Sequence, residues 1–244
     1  MTAGELSAVA TTPAIVLAGG RGTRIAPVTG DKLPKALLPV AGRPFLEHQL
    51  GWLASEGVRR VVLAVGFLGD QLRSRFGDRW GELELDWSDD GERLLGTGGA
   101  VRRAFDRLGG DARAFVANGD TWFPVPLAAL LARHCESGAT ATVALARQEE
   151  RGRFGAVESD AAGRITAFHE KGSVGGGWIN GGVYCLERAA LEGMPSGEPL
   201  SLERDLLAAR LGTLRVLAFP CDRPFCDIGV PASYGAFAAA EPRR

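Results

Sequence analysis

The segment Leu17-Ala18-Gly19-Gly20-Arg21-Gly22-Thr23-Arg24 places three glycines and two arginines directly after a short apolar run. Glycines after a strand let backbone N–H groups converge on a phosphate with no Cβ in the way. Guanidinium groups in the same loop fork onto phosphate oxygens. Lys35 follows within Leu33-Pro34-Lys35-Ala36-Leu37-Leu38-Pro39-Val40, where it can reach the same anion. Two aspartates extend the set: Asp120 closes Asn118-Gly119-Asp120, and Asp227 stands in Phe225-Cys226-Asp227-Ile228-Gly229. A carboxylate pair from distant segments suits Mg²⁺, which takes few protein carboxylates and fills its shell with phosphate oxygens and water. Taken singly, either aspartate reads equally well as the cap of a turn. Together these residue types describe chemistry on a polyphosphate.

The elements that must position them follow from periodicity. Ala14 to Ala18, Arg60 to Val65 and Ala112 to Ala117 are short apolar runs of buried strands. Phe45 to Glu56 carries an apolar stripe at helical spacing and closes at Gly57, Asp70 to Phe76 is a short helix, and Leu83 to Trp87 alternates as a strand. Ala100 to Leu108 is a helix opened by Leu95-Gly96-Thr97-Gly98-Gly99, whose N–H groups face a base edge or ribose. Strand and helix in alternation mean crossover units and a mainly parallel sheet covered on both faces. Asp120 then falls at the carboxyl edge, where open α/β sheets bind ligands. The second half is richer in strands (140–145, 155–158, 165–169, 183–186 and 214–219), with helices expected over 202–211 and 231–239. The reading is one domain over residues 14–240, with a β-rich insertion, preceded by a flexible extension over 1–13.

Other glycine-loop chemistries fit less well. A dinucleotide fingerprint starting at Gly20 needs a third glycine where Ile25 stands, and no acidic residue ends a second strand at the right distance. A P-loop needs a Gly-Lys pair that this region lacks. A purely geometric turn leaves the flanking arginines without a role.

Composition sets the outer bounds. The chain has 244 residues, 45% hydrophobic and 23% charged, with 28 basic against 29 acidic side chains. That balance argues against a nucleic-acid footprint. Cys135, Cys185, Cys221 and Cys226 are scattered, as are His48, His134 and His169, so a structural zinc site is not expected. No apolar stretch approaches the ~20 residues needed to span a bilayer. The N-terminus lacks a signal peptide's pattern, and the chain reads as cytoplasmic, with no membrane partner.

The strings A-G-G-x-G-T-R and P-K-x-L-L-P-V resemble the opening signature of the sugar-phosphate nucleotidyltransferases, and the resemblance runs from about Ala14 to Phe237. It implies a three-layer, Rossmann-like sheet of the nucleotide-diphospho-sugar transferase (glycosyltransferase-A-like) type. Its substrates would be an NTP and a sugar 1-phosphate, its products an NDP-sugar and pyrophosphate, and its cofactor Mg²⁺. Homo-oligomers are among the expected forms. The nucleotide would lie against Leu17, Ala18, Gly19, Gly20, Gly22 and Thr23 and, through L-G-T-G-G-A, against Gly96, Thr97 and Gly98. Arg24, Lys35 and Asp120 would be catalytic, with Asp120 and Asp227 holding the metal. The sugar half would comprise Asn118, Gly155, Glu170, Lys171, Asn180 and Gly181, carried on R-F-G-A-V, F-H-E-K and I-N-G-G. Phe154 departs from the tyrosine usual in the first of these, and so removes a hydroxyl.

Within the family, I-N-G-G-V-Y with D-I-G-V-P-x-x-Y is most similar to the heptose-1-phosphate guanylyltransferases. Enzymes for mannose 1-phosphate or N-acetylmuramate 1-phosphate, using UTP, ATP or CTP among other NTPs, are alternatives. A catalytically silent nucleotide-sugar-binding regulator is another, but it would be expected to lose the arginine, the lysine or a metal aspartate.

Overall fold

The computed structural model describes residues 3–149, 154–169 and 175–239. Strand β1 (Ala14–Leu17) sits at the centre, and its neighbours are β4 (Arg60–Val65) and β7 (Arg113–Asn118), both parallel to it. Ile15 lies between Val62 and Val116 in register. Successive residues of β1 serve opposite faces: Val16 joins the core packed with Leu46, Leu50 and Leu63, and Ile15 joins the one with Val101 and Phe105. A strand buried on both faces must be apolar throughout, which is why this run shows no alternation. Burying each such side chain contributes about 1.5–3 kcal/mol.

Beyond β4 lie β6 (Leu83–Asp89) and the short antiparallel β5 (Arg79–Trp80). On the other side, β7 pairs antiparallel with β12 (Gly177–Glu187), then come β9 (Ala141–Gln148) and β13 (Val216–Cys221). The eight-stranded order is β13-β9-β12-β7-β1-β4-β6-β5. Helices α3 (Phe45–Ser55), α4 (Gly69–Phe76), α5 (Gly96–Arg107) and α6 (Leu127–Ser137) cover it. Much of the β-rich half therefore joins the main sheet, while β10 (Val157–Ser159) and β11 (Ile165–Phe168) form a separate antiparallel ribbon. This is the mainly parallel, helix-covered sheet that the resemblance implies.

Three local features differ from the sequence reading. The segment expected as a flexible extension contains helix α1 (Ala3–Ala10), whose Val9 is fully buried and which packs on α6. Helix α6 itself has no counterpart in that reading. The expected helix over 202–211 is a π-helix at Leu202–Ala208, its start capped by Ser201, whose hydroxyl accepts the Arg204 N–H at 3.1 Å. Among the described residues no helix is long and apolar enough to cross a membrane.

Candidate active site

The chain leaves β1 toward β4 on one side and meets β7 on the other, so the carboxyl ends of β1 and β7 diverge at a topological switch point. A cleft of about 250 Å³ opens there. Leu17, Ala18, Gly19 and Gly20 line one wall, Lys35 and Ala36 another, and Asp90, Gly96, Thr97, Asn118 and Asp120 close it. Gly119 carries the chain past the tip of β1, where a Cβ would come 2.5 Å from the Leu17 carbonyl oxygen.

Lys35 and Asp120 form an ion pair across this cleft, each about one-fifth exposed. Gly22 explains how the lysine gets there. It adopts φ +66°, and a Cβ on it would lie 3.0 Å from Lys35 Cγ, so the glycine turn is the bed on which the lysine stem rests. Asp227 arrives from the far end of the chain on β14 (Cys226–Asp227), which pairs antiparallel with β8 (Thr121–Trp122). That pairing sets Asp227 opposite Thr121, and the Ile228 N–H donates to the Asp120 carbonyl at 2.9 Å. Two carboxylates separated by more than a hundred residues thus become neighbours through one short ladder.

Asp227 Oδ1 accepts the Gly229 N–H at 2.6 Å, and a Cβ on Gly229 would stand 3.4 Å from Arg24 Nη2. Arg24 therefore borders the Asp227 turn rather than the cleft wall. Arg21, the other arginine of the loop, lies over the Phe67 ring at 5.3 Å. Gly22 and Thr23 shape the loop without lining the cleft. The Gly98 N–H donates to the Leu200 carbonyl at 2.7 Å, so this amide, expected to face a ligand, is committed to the segment that α5 packs against.

Behind the Asn118 turn, outside the cleft lining, β12 bulges between Asn180 and Tyr184. Gly182 takes φ +71° there, and a Cβ on it would meet Asn118 Nδ2 at 2.6 Å, while one on Gly181 would enter the Phe123 ring. The two glycines let β12 approach the Asn118 turn closely. Gly155 lies against the His169 carbonyl. Glu170 and Lys171 lie outside the described residues.

Three site residues, Gln49, Asp90 and Glu203, carry no signal in the sequence, and a fourth, Tyr184, stands there only as the last residue of I-N-G-G-V-Y, without a role. Gln49 is 1% exposed and donates from Nε2 to the carbonyls of Asn118 at 2.7 Å and Thr121 at 2.9 Å, clamping both sides of Asp120 from α3. Asp90 is buried in the cleft wall and accepts the Leu95 N–H at 3.0 Å; burial pushes its carboxyl above the usual range, against the lowering effect of that hydrogen bond. Tyr184 and Glu203 complete the set and form a hydrogen-bonded pair at 2.9 Å.

The donor set suits a hard divalent cation. Asp120 Oδ2 faces Lys35 and its Oδ1 meets only the Thr121 hydroxyl, at 3.4 Å, while Asp227 Oδ1 faces the Gly229 N–H, so both carboxylates keep lone pairs that a cation can use. Asn118 Oδ1 beside them is buried without a protein partner. Among the described residues no cluster of three or more His, Cys, Asp or Glu exists, so ligand oxygens and water would have to complete any shell.

A family model described as nucleotidyl transferase matches residues 13–240. The chain is 36% identical over 221 residues to the D-glycero-alpha-D-manno-heptose 1-phosphate guanylyltransferase of Aneurinibacillus thermoaerophilus, covering 91% of this chain and 94% of that protein. It is 34% identical to the mannose-1-phosphate guanylyltransferase of Mycobacterium tuberculosis, but spans 62% of that longer protein. A solved structure, HddC from Yersinia pseudotuberculosis complexed with GMP-PN, has a TM-score of 0.82 at 27% identity and covers 94% of this chain and 99% of that one.

Proposed function

The chain belongs to the nucleotidyl transferase family, and from that premise we propose that it transfers a guanylyl group from GTP to a heptose 1-phosphate, giving a GDP-heptose and pyrophosphate. The observation that carries the proposal is the Lys35–Asp120 pair across the cleft with Asp227 on the adjoining strand, a cation and two carboxylates at the switch point. Guanine is favoured by Asp90, because a carboxylate accepts the adjacent N1–H and N2–H donors of that base, a donor pair that adenine, uracil and cytosine do not present. Heptose is favoured by the relative named for it, which the chain matches along nearly its whole length. Mannose 1-phosphate is the second reading, supported by the mycobacterial relative.

The reaction is an in-line displacement. A sugar-phosphate oxygen forms a bond to the α-phosphorus, the bond from the α-phosphorus to its bridging oxygen breaks, and pyrophosphate leaves with the electron pair. The nucleophile has lost its second proton near pH 6 and needs no general base. Positioning and charge neutralisation are left to the protein. Asp120 and Asp227 would hold Mg²⁺, which supplies positive charge to the triphosphate oxygens. Lys35 exchanges its carboxylate partner for a phosphate oxygen when the nucleotide enters, and Arg24 neutralises the departing pyrophosphate. Gly19 and Gly20 let the chain approach the nucleotide, and Lys171 anchors the incoming sugar phosphate. Four free cysteines fit a reducing cytoplasm.

The test is pyrophosphate release across the four NTPs and a panel of sugar 1-phosphates. Asp120→Asn and Arg24→Ala should each lower turnover about 10²–10³-fold with the fold retained. Turnover within a few-fold of wild type in both would sink the assignment.

A further inference from the structure

Tyr184 is 1% exposed, and its hydroxyl sits between two side chains from different elements. It accepts from Asn180 Nδ2 at 2.8 Å and donates to Glu203 Oε1 at 2.9 Å. The other oxygen of Glu203 accepts from Thr97 Oγ1 and from Ser201 Oγ, both at 3.2 Å. Thr97 Oγ1 in turn accepts the Leu202 N–H at 2.8 Å, and Asn180 Oδ1 accepts the Gly182 N–H at 3.0 Å. A continuous path of hydrogen bonds therefore runs Asn180, Tyr184, Glu203, Thr97. It connects the bulge of β12 with the first turn of α5.

The donor inventory fixes its direction. A phenol has one proton to donate and an ionised carboxylate only accepts. With Glu203 taking protons from both Tyr184 and Thr97, the phenol proton is spent, so Asn180 must meet Tyr184 with its NH₂ group. The Gly182 N–H holds the amide oxygen in the same sense. Asn180 is thereby locked in one flip, with its second amide hydrogen as a donor for a ligand. Buried, charge-bearing networks of this kind are costly when partly satisfied and rigid when complete. Here the Tyr184 hydroxyl, both Glu203 oxygens and the Thr97 hydroxyl all have partners.

Glu203 is itself held in place. It lies in the first turn of the π-helix whose Leu202, Leu206 and Leu207 are buried in the core shared with α5, and single π turns are frequent at functional sites. Burial, followed by the charge of Glu203, raises the Tyr184 hydroxyl well above its ordinary value, and the Asp120 carboxylate adds to the rise. The phenol thus stays protonated, and the path runs within electrostatic reach of the cleft.

We infer that Tyr184 and Glu203 are positioning residues that tie the nucleotide side of the site, through Thr97, to the sugar side, through Asn180, so that each half is set by the state of the other. Thr97 and Asn180 stand on those sides under the function proposed above, and the relay rests on it. Its consequence is specific. Loss of the phenol oxygen disconnects the halves without touching either substrate, so the penalty falls on KM for the sugar 1-phosphate and on the coupling between sites.

The experiment is steady-state pyrophosphate release by the full chain, using the NTP and sugar 1-phosphate that wild type turns over. Tyr184→Phe should raise KM for the sugar 1-phosphate and lower kcat/KM about 10–100-fold, the scale of a misplaced positioning contact. Glu203→Gln keeps size and one acceptor oxygen and should give a smaller loss of the same kind. In the wild-type background Thr97→Val and Asn180→Ala should combine with a joint effect at least ~3-fold different from their product. In the Tyr184→Phe background they should simply multiply. A change confined to melting temperature, with both KM values within twofold of wild type, overturns the relay, and so does simple multiplication in the wild-type background. No turnover by wild type with any substrate pair overturns the proposed function and the relay with it.

Discussion

A single side chain in this site is set by its neighbours more than by its own type. Gly22 holds φ +66° and lies where a Cβ would press 3.0 Å from Lys35 Cγ, whereas Gly30, at φ +60°, has nothing within 4 Å. An alanine at either position costs about 1–2 kcal/mol of backbone strain. Only Gly22→Ala should also displace the lysine. Both variants are therefore expected to melt lower, Gly22→Ala the further because its Cβ would also stand 3.1 Å from Cγ2 of the buried Ile25, with kcat down at least ~10-fold for Gly22→Ala and unchanged for Gly30→Ala; equal kcat in the two would refute the bed that Gly22 provides. Asp90 makes a different demand. Asp90→Asn replaces one of the two acceptors by a donor, so KM for GTP should rise about 10–100-fold while the other NTPs change little, consistent with ~1–3 kcal/mol for a bidentate base contact. Because burial raises the Asp90 carboxyl, it protonates sooner on acidification than an exposed aspartate. KM for GTP should accordingly climb on the acid side at a higher pH than a solvent-exposed carboxylate would produce.

At the scale of elements, legibility follows the kind of signal each one carries. Strands β1, β4 and β7 announce themselves because burial on both faces demands unbroken apolar runs. The glycine loop and Lys35 announce themselves because phosphate chemistry restricts residue types at close spacing. Helix α1 does not, since its helical state depends on docking Val9 against α6, which no local pattern records. Gln49, Asp90 and Glu203 are polar residues like many on any surface, and Tyr184 reads only as the end of a string; their roles come through contacts such as Thr97 with Glu203, 106 positions apart. Helix α6 carries a test of its own. His134 is buried at its last turn, with Nδ1 on Thr142 Oγ1 at 2.9 Å and Nε2 on Glu187 at 3.0 Å. Burial lowers its proton affinity more than Glu187 restores it. The unfolded chain therefore binds the proton more readily, and the stabilisation is present above the unfolded value near 6.5 and is lost as pH falls below it toward the folded value. Wild type should lose melting temperature between pH 7.5 and 5.5, and His134→Gln, which has no proton to gain, should show a flatter profile. Parallel profiles would show that another group governs this range.

At the scale of the whole molecule, the segment over residues 25–45 meets the one over residues 228–237. A third apolar cluster, separate from the two that flank the sheet, joins Ile25, Leu38 and Val40 to Phe45, Ile228 and Phe237. Helix α7 (Pro231–Ala239) brings the last of these, with Phe237 edge-on to Phe45 at 5.9 Å and tilted on Trp122 at 6.3 Å. Tyr234 adds a hydrogen bond from its hydroxyl to the Pro39 carbonyl at 2.7 Å. This cluster underlies the arginine turn, the lysine loop and the Asp227 ladder at once, so α7 acts as a latch that holds the charged groups in register. The latch can be told from ordinary core stability by comparing two deletions. Phe237→Ala removes a ring from the latch, and Phe105→Leu trims one from the core beneath the far end of α5. Large-to-small changes at such sites cost about 1–4 kcal/mol each. The Phe105 variant should lose melting temperature with little change in kcat. The Phe237 variant should lose kcat well beyond its loss in melting temperature, with faster amide exchange over residues 33–40 and 226–229. If kcat tracks melting temperature along one line for both, the third cluster contributes stability alone and the register of Arg24, Lys35 and Asp227 is kept by the sheet.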